Sequence, residues 1–474
     1  MSLVYVEYLC FLVVFTGLYY LTSSKKIRAY LLLLCSFIFI AQHSFFSLIF
    51  LVASSVFTFF IAKKIAQTKS KPLLWFAISL HIIVLLGIKY FHWGNTLVNL
   101  SPLHFQTNTI IVALGVSFYT LQHISFLVET FHKRIPFPSL GNYLSYHAFF
   151  PKISSGPIEK PQTFLPQLAS LNQSFSSENF VYGFQRILWG FFKKMVLADR
   201  LLPIVEQIFG LHTPAHGFTV WLGICLFTLA LYFDFSAYID IAIGSARILG
   251  IKLSENFNFP LHTTSIAAFW RCWHITLIQW LTQYLYYPIV YRFRKYPTLA
   301  VMLAIAVVFG LSGVWHGWGI TYLLWAACHI VYLWFETLTK KQRNTIAKKL
   351  PRLFYQNFSI FITFNLVCFA HLFFRANSFA TAQTLIQKVF TFPFFPQSVL
   401  VDFIAPLAGG GSQEQVFNLY ISLLGCFLFL FLEKKIYPYY LSTKFRFSIN
   451  FILLLLIFLF GIFDAGEAFI YLQF

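Results

Sequence analysis

Charged residues are scarce in this sequence. Asp, Glu, Lys and Arg make up 10% of its 474 residues, and hydrophobic residues make up 58%. A typical soluble protein carries about 25% charged and about 45–50% apolar residues, and a chain of this length would normally form soluble domains that each need a polar surface. Because too few polar residues are present to cover such surfaces, the composition excludes a soluble enzyme, a secreted scaffold and a disordered chain.

Sequence patterns for bound metals, disulfides and nucleotides are also lacking. The seven Cys residues all lie in apolar runs and form no Cys-x-x-Cys pair, which argues against a zinc site and a disulfide framework. His212 and His216 are four residues apart but have no third ligand nearby, and there is neither a phosphate-binding loop nor a Gly-x-Gly-x-x-Gly fingerprint. We therefore predict no metal site and no bound cofactor.

Long apolar runs fill most of the chain. A membrane-spanning helix needs about 20 mostly apolar residues. The N-terminus has no basic start and no small-residue cleavage site, so residues 3–21 are expected to form a retained span rather than a signal peptide. The sequence predicts an all-α polytopic membrane protein with about 11–12 crossings. The candidate spans are residues 3–22, 30–42, 46–62, 73–91, 108–130, 184–207, 218–243, 298–313, 319–337, 355–374, 416–433 and 447–463.

The formal net charge of +19 has a topological explanation. Segments 92–107 and 208–217 contain no Lys or Arg, whereas basic residues cluster in connecting segments at 25–28, 63–71, 133–160, 340–352 and 434–446. Under the positive-inside rule, the basic segments face the cytoplasm and both termini face outward. The charge therefore predicts orientation in a lipid bilayer rather than nucleic-acid binding.

Three stretches do not have the pattern of simple spans. Segment 139–170 is rich in Pro, Ser and Gly, segment 255–292 mixes apolar and polar residues, and segment 375–415 has an amphipathic helix over 381–390 before a Pro-rich and Gly-rich loop. Non-helical backbone at membrane depth must be buried by protein or line a wet cavity. The first two stretches are therefore predicted to be re-entrant segments around an internal cavity.

A few ionisable residues lie inside apolar segments, where each costs about 2.5–3.5 kcal/mol on insertion scales and marks a functional candidate. The remaining histidines, among them His81, His123 and His147, lack supporting context and are expected to be interfacial or core residues. The informative candidates are Asp234, Asp240, Arg271, His274 and His316, with His329 and His371 as further candidates.

His316 lies in the sequence Gly310-Leu-Ser-Gly-Val-Trp-His-Gly-Trp-Gly319. Four glycines in ten residues are expected to break the helix and let backbone approach a ligand closely, and Trp315 and Trp318 supply rigid apolar walls. A neutral imidazole can take a proton from a hydroxyl. The alternative is an interfacial histidine in an aromatic belt, but the glycine-rich break favours a functional role.

His274 lies three residues after Arg271, so on a continuous helix the two share a face. An Arg beside a His favours the neutral imidazole. The alternative is an Arg that anchors a helix at the head-group level, with His274 as a structural hydrogen-bonding residue. Spacing alone does not decide between them.

Asp234 and Asp240 are six residues apart, which places them about 120° from each other around a helix. This disfavours a paired-carboxylate acid/base site and favours a structural role, such as pairing with Arg247 or Arg271. From these residues alone, a proton-abstracting transferase and a transporter with histidine gating both fit.

Several stretches occur in an order that resembles one family, the membrane-bound O-acyltransferases, and most closely its bacterial AlgI/DltB-like branch. The similarity runs from about Gly115 to Ala380. The stretches that carry it are Gly115-Val-Ser-Phe-Tyr-Thr-Leu-Gln122, Phe149-Phe-Pro-Lys-Ile-Ser-Ser-Gly-Pro-Ile158, Tyr232–Pro260, Phe269–Thr276, Val314-Trp-His-Gly317 and Phe373-Phe-Arg-Ala376.

The resemblance implies one membrane domain over 1–474, with N-terminal helices in 1–107, the core in 108–380 and C-terminal helices in 381–474. It implies tilted helices around a central tunnel, with His316 as the catalytic residue and His274 as the second polar position. Relatives usually carry an Arg-Asp pair where this chain has Thr282-Gln283, which affects the donor side and acyl specificity more than the chemistry. Candidate tunnel or substrate residues are Trp315, Arg271, Trp273, Asp234, Gln283 and Ser155.

The activity that the resemblance implies is O-acylation of an extracytoplasmic envelope polysaccharide, with acetyl favoured over D-alanyl. The donor is an acyl thioester, either acyl-CoA or the phosphopantetheine of an acyl-carrier protein, and the expected partners are that cytoplasmic donor, a separate extracytoplasmic transferase and the polysaccharide acceptor. The expected location is the bacterial cytoplasmic membrane, with His316 toward the extracytoplasmic side. A lipid or protein acceptor and a transporter are the alternatives.

Overall fold

The fold is all-α, as predicted. The computed structural model describes residues 6–98, 114–171, 174–210, 217–317, 319–390, 413–442, 446–463 and 469. Over these residues the regular structure is helical, with one isolated β-bridge between Phe257 and Trp273. In chain order the helices are α1 (Val6–Leu21), α2 (Lys25–His43), α3 (Phe45–Thr68), α4 (Lys71–Val98), α5 (Val116–Phe131), α6 (Leu140–Ala148), α7 (Pro161–Ala169), α8 (Ser177–Phe191), α9 (Asp199–Gly210), α10 (Gly217–Ile248), α11 (Ile266–Cys272), α12 (Ile275–Leu281), α13 (Tyr287–Arg292), α14 (Pro297–His316), α15 (Ile320–Leu338), α16 (Lys340–Lys349), α17 (Arg352–Arg375), α18 (Phe379–Phe390), α19 (Gln413–Ser442) and α20 (Arg446–Phe460).

Within the described part of the chain, six helical stretches are long and apolar enough to cross a membrane. They are Lys25–His43, Phe45–Thr68, Lys71–Tyr90, Gly217–Ile248, Pro297–His316 and Arg352–Arg375, and Glu7–Leu21 and Phe447–Phe460 are shorter apolar helices. The protein is therefore a multi-pass membrane protein. The predicted spans 30–42 and 298–313 are shorter than the helices that contain them, which have 19 and 20 residues. The helices are longer because polar or proline residues before each apolar run are also helical.

One predicted span is interrupted. Residues 184–207 were expected to form a single helix, but π-helical backbone over Phe192–Ala198 separates α8 from α9. A π-helical turn inserts an extra residue into the helical ladder and often marks a functional or strained position. This one carries two buried lysines, Lys193 and Lys194.

Segments 139–170 and 255–292 are broken into short helices, as expected for stretches that are not simple spans. The first contains α6, α7 and the 3₁₀ turn Phe150–Lys152, and the second contains α11, α12, π-helical Thr282–Tyr286 and α13. Re-entry into the membrane and a central tunnel remain predictions. The amphipathic helix expected over 381–390 is α18, but residues 391–412 lie outside the described residues, as do most of 92–107 and 208–217.

The chain divides into two compact units, Met1–Ile187 with Tyr238–Glu255, and Leu188–Ala237 with Asn256–Phe474. We call them unit 1 and unit 2. The division into family core and flanking helices remains a prediction.

Two of the motifs meet inside unit 1. Gly115 precedes α5 with φ +71°, a left-handed conformation that suits glycine, and a Cβ at this position would collide with the carbonyl oxygen of Ile153. The Lys152 Nζ donates to Gln122 Oε1 at 3.0 Å. The stretches around residues 115–122 and 149–158 therefore form one buried packing unit.

Candidate functional site

His316 is the last residue of α14 in unit 2. The helix continues through Gly310 and Gly313 and ends where Gly317 becomes extended, with φ −177°. The expectation that four glycines break the helix is therefore wrong for the first two, and Trp318 lies outside the described residues. The helix ends at Gly317, immediately after His316. The imidazole therefore lies at the C-terminal end of a long apolar helix.

The glycines of α14 serve helix packing. A Cβ on Gly313 would lie 2.9 Å from the carbonyl oxygen of Tyr322 and 3.1 Å from Cβ of Ala326, both on α15. A Cβ on Gly317 would overlap the Tyr322 ring, whereas one on Gly310 would meet nothing within 4 Å. Gly313 thus lets α15 approach α14 closely. The sequence predicted that the glycines let the backbone approach a ligand, but at Gly313 the close neighbour is another helix.

Aromatic rings surround His316. Its ring centroid lies 4.8 Å from that of Trp315, 5.1 Å from Trp325 and 5.2 Å from Phe374, all in edge-to-face geometry. Only 7% of His316 is exposed. A neutral imidazole in this position can accept a proton from a hydroxyl.

His274 is held outside a helix. α11 ends at Cys272, Trp273 is extended, and His274 has φ +46° and ψ +50° immediately before α12. A non-glycine residue in this left-handed region carries strain that the surrounding structure must offset. The expected shared face with Arg271 is therefore absent, because the helix does not continue between the two residues.

Arg271 is exposed, whereas His274 is 1% exposed. Burial lowers the pKa of His274 to about 3, and a backbone hydrogen bond opposes this shift only in part. The neutral form of His274 was expected to result from Arg271. It results instead from desolvation, which disfavours the charged form of an imidazole.

Asn256 fixes the backbone around His274. Its Oδ1 accepts hydrogen bonds from the N–H and hydroxyl of Thr276 at 3.0 and 2.9 Å, and the Nδ1 of His274 lies 3.4 Å from the same oxygen. The Asn256 carbonyl also accepts from the N–H of Ile275 at 2.9 Å. Sequence reasoning missed this residue as a site candidate, although it lies in the family-like stretch Tyr232–Pro260 and is a fully buried amide.

The structure brings the two histidines to the same indole. The Trp315 ring lies 6.5 Å from His274 and 4.8 Å from His316, measured between centroids. Trp315 is half-buried. His274, Trp315 and His316 therefore form one cluster, which we call the histidine pair site.

The two further histidine candidates also lie beside this site. His371 is 6.2 Å from the Phe374 ring and its Nδ1 is 3.2 Å from the Thr228 hydroxyl. His329 is 5.2 Å from the Trp325 ring, and its Nδ1 accepts from the indole N–H of Trp270 at 3.2 Å.

Trp273 lies beside the same site. Its ring is 5.9 Å from that of His371 and 5.1 Å from that of Phe257. Trp325, Phe374 and Trp270, which sequence reasoning did not single out, complete the enclosure. They come from three different helices, α15, α17 and α11, so no local pattern could bring them together.

Asp234 and Asp240 have structural partners, although not the expected ones. In unit 2, Lys194 Nζ lies 2.8 Å from Asp234 and 2.8 Å from Asp199. In unit 1, Arg186 lies 2.6 Å from Asp240, and it also pairs with Glu255 at 2.7 Å. The predicted pairing with Arg247 or Arg271 is wrong. Lys194 and Arg186, which are distant in sequence, pair with these carboxylates instead.

Gln283 and Ser155 are two further candidates for a tunnel or substrate site. Gln283 is half-buried in the π-helical turn Thr282–Tyr286, and Ser155 is a buried turn residue in unit 1. Their assignment to a tunnel or substrate site remains a prediction.

A second group of buried histidines lies in unit 1. The rings of His81 and His123 are 4.8 Å apart, and those of His123 and His147 are 4.1 Å apart. His81 bonds to the hydroxyl of Thr58 at 2.8 Å and His123 to that of Tyr143 at 2.9 Å. These three are core residues, as expected, and over the described residues no His, Cys, Asp or Glu group has the geometry of a metal site.

Comparisons with known proteins identify the family of the chain. The sequence model of the membrane-bound O-acyltransferase (MBOAT) family matches residues 36–378. The chain is 31% identical to the probable alginate O-acetylase of Pseudomonas aeruginosa over 399 residues, which cover 81% of this chain and 73% of the relative. It is 33% identical to the peptidoglycan O-acetyltransferase of Helicobacter pylori over 75% of this chain and 72% of the relative. The teichoic acid D-alanyltransferase of Bacillus subtilis is 28% identical over 58% of this chain and 72% of the relative.

Proposed function

Because this chain belongs to the membrane-bound O-acyltransferase family and is an O-acyltransferase, we propose that it transfers an acetyl group from a cytoplasmic thioester toward a polysaccharide of the cell envelope. The observation that carries the proposal is that His274 and His316 both lie near Trp315 inside an aromatic enclosure. Acetyl and polysaccharide are favoured because the relatives named for O-acetylation match more of this chain than the named D-alanyltransferase does.

We assign the role of general base to His316. It removes the proton from an acceptor hydroxyl, whose oxygen attacks the thioester carbonyl carbon; the new C–O bond forms, the C–S bond breaks, and the proton passes from His316 to the departing sulfur. The aromatic walls leave only 7% of His316 exposed, and limited access of water protects the acyl group from hydrolysis. Positioning in such an enclosure can supply much of the rate enhancement.

His274 has a supporting role in this scheme. Its low pKa keeps the ring neutral at physiological pH, so it can orient a substrate group or donate a hydrogen bond without adding a charge. Asn256 and the hydroxyl of Thr276 hold the chain around it, and a catalytic group fixed by such bonds loses little entropy in the transition state.

The remaining parts of the proposal concern location and partners. The donor is acyl-CoA or the phosphopantetheine of an acyl-carrier protein, and a separate extracytoplasmic transferase receives or completes the transfer. We place the protein in the bacterial cytoplasmic membrane with His316 toward the outer face, and the basic connecting segments support this orientation under the positive-inside rule.

The decisive experiment compares a strain that lacks the protein with strains complemented by wild type, His316→Ala, His274→Ala or His132→Ala. His132 is an exposed histidine outside the site and is the matched control. We expect His316→Ala to abolish O-acetyl groups on envelope polysaccharide, measured by mass analysis, with a normal amount of protein in the membrane. His274→Ala should lower them, and His132→Ala should leave them unchanged. Full acetylation with His316→Ala would refute the assignment.

D-alanyl transfer is the second candidate, because the chain also matches teichoic acid D-alanyltransferases and its Ser154-Ser-Gly-Pro-Ile158 stretch resembles that branch. The same mass analysis separates the two reactions, since a D-alanyl ester and an acetyl ester add different masses. D-alanine that is lost with His316→Ala while acetyl is unchanged would favour this candidate.

A further inference from the structure

An apolar groove in unit 2 is not used by the proposed chemistry. Its volume is about 290 Å³. It lies between the π-helical turn that follows α8, the start of α9, and helices α19 and α20. Its lining residues include Phe192, Arg200, Gly425, Phe429, Ile436 and Phe460.

The groove is polar at one end, where Arg200 lies, and is lined by apolar side chains along the rest of its length. Arg200 Nε donates to the carbonyl oxygen of Phe460 at 2.6 Å, and Arg200 is also close enough to Cys426 to interact electrostatically with it. Ile436 lines the groove eleven residues beyond Gly425 on α19, a distance of about 16 Å along a helix. The guanidinium therefore marks one end, and an apolar path of several helical turns leads away from it.

Among the described residues, Arg200 has one side-chain hydrogen bond, which its Nε donates. The bond from Nε satisfies a carbonyl at the C-terminal end of α20, and among the described residues no carboxylate lies within ion-pair distance of this side chain. Arg200 is half-buried at the wall of the groove. A guanidinium presents several N–H groups in a planar fork that matches the oxygens of a phosphate.

We propose that this groove binds one anionic phospholipid, with its phosphate on Arg200 and an acyl chain lying along α19 toward Ile436. The apolar walls fit the chain, the guanidinium fits the phosphate, and the bilayer surrounding a multi-pass protein supplies the ligand. Lys434 and Lys435 are exposed near the far end of this path but do not line the groove, so the phosphate is assigned to Arg200.

The first test fills the groove. A Cβ on Gly425 would meet nothing within 4 Å, so Gly425→Leu should insert its side chain without disturbing neighbours. The matched control is Gly87→Leu, a substitution at an exposed glycine of α4 whose Cβ also meets nothing within 4 Å. After reconstitution in vesicles of phosphatidylglycerol and phosphatidylcholine, native mass spectrometry of the extracted wild type should show one retained phosphatidylglycerol. Gly425→Leu should lose it and Gly87→Leu should keep it.

The second test removes the charge. Arg200→Gln should lower the preference for phosphatidylglycerol over phosphatidylcholine by about tenfold, the effect of one lost charge-assisted contact, while Arg200→Lys should retain part of it. Inorganic phosphate should not displace the lipid, but a single-chain phosphatidylglycerol should. The proposal is overturned if Gly425→Leu retains lipid as the control does, if phosphate alone competes, or if the preference follows Lys434→Gln with Lys435→Gln instead of Arg200. Size-exclusion profiles confirm that each variant is folded.

Discussion

Lys194 lies between two carboxylates in a buried part of unit 2. Its Nζ is 2.8 Å from both Asp199 and Asp234, and the exposed fractions of these side chains are 1%, 4% and 0%. One carboxylate is enough to neutralise the lysine. We therefore predict that the first Asp→Asn substitution is tolerated and that the second is not, whichever is made first.

The expected loss of stability for each variant depends on which charges remain around Lys194. Asp234→Asn keeps an acceptor oxygen beside Lys194 and keeps Asp199 as the counter-charge, so the expected loss of stability is about 1–2 kcal/mol. Adding Asp199→Asn leaves a buried ammonium without any counter-charge in this cluster, which costs about 3–5 kcal/mol more. Adding Lys194→Met to the double variant should restore most of that loss, because it removes the uncompensated charge.

The assay is unfolding in mixed micelles by titration with sodium dodecyl sulfate, followed by circular dichroism, for the two single variants, the double and the triple. Acyl transfer per folded molecule is measured alongside, and Asp234→Asn should retain it within about twofold, a change of about 0.4 kcal/mol in the barrier. Additive losses in the double variant would refute the bridging argument. Loss of transfer at unchanged stability would instead place Asp234 among the reacting groups.

Two further pairs of variants test the local arguments. On α14, Gly310→Ala should stabilise the protein by about 0.5–1 kcal/mol because the position is open and helical, whereas Gly313→Ala should cost about 1–3 kcal/mol because its Cβ meets the backbone of α15; thermal unfolding in detergent separates them. Beside His274, Asn256→Ala should lower turnover about tenfold or more by releasing the left-handed backbone, whereas Arg271→Gln should leave it unchanged because Arg271 is exposed. Equal effects of the two substitutions, measured as transfer rate per folded molecule, would contradict the positioning role of Asn256.

Composition and hydropathy were sufficient to predict the class of fold. Helices α2, α3, α4, α10 and α14 coincide closely with predicted spans, because about 20 apolar residues have few other ways to satisfy their backbone in a bilayer. The interrupted span at 184–207 could not be predicted, since π-helical backbone leaves the apolar pattern of the sequence almost unchanged. Its two buried lysines are the one local sign of it.

The candidate site was predictable in its residues and less so in its geometry. His316 and His274 stand out because polar groups are rare in apolar segments. The partners of Asp234 and Asp240 did not follow from the sequence, because Lys194 and Arg186 reach them across 40 and 54 positions of the chain. Spacing also misled for Arg271 and His274, since a three-residue interval places two side chains on one face only while the helix continues, and α11 ends between them.

The ends of the helices suggest why the two histidines differ in role. His316 ends the 20-residue helix α14, and the C-terminal end of a helix stabilises positive charge, so an imidazolium formed when His316 takes a proton lies where the helix favours it. His274 precedes the N-terminus of α12, where the opposite end of the helix disfavours positive charge. Both rings lie near Trp315; His316 is suited to change its charge during the reaction and His274 to remain neutral, and the variants of His316 and His274 measure this difference.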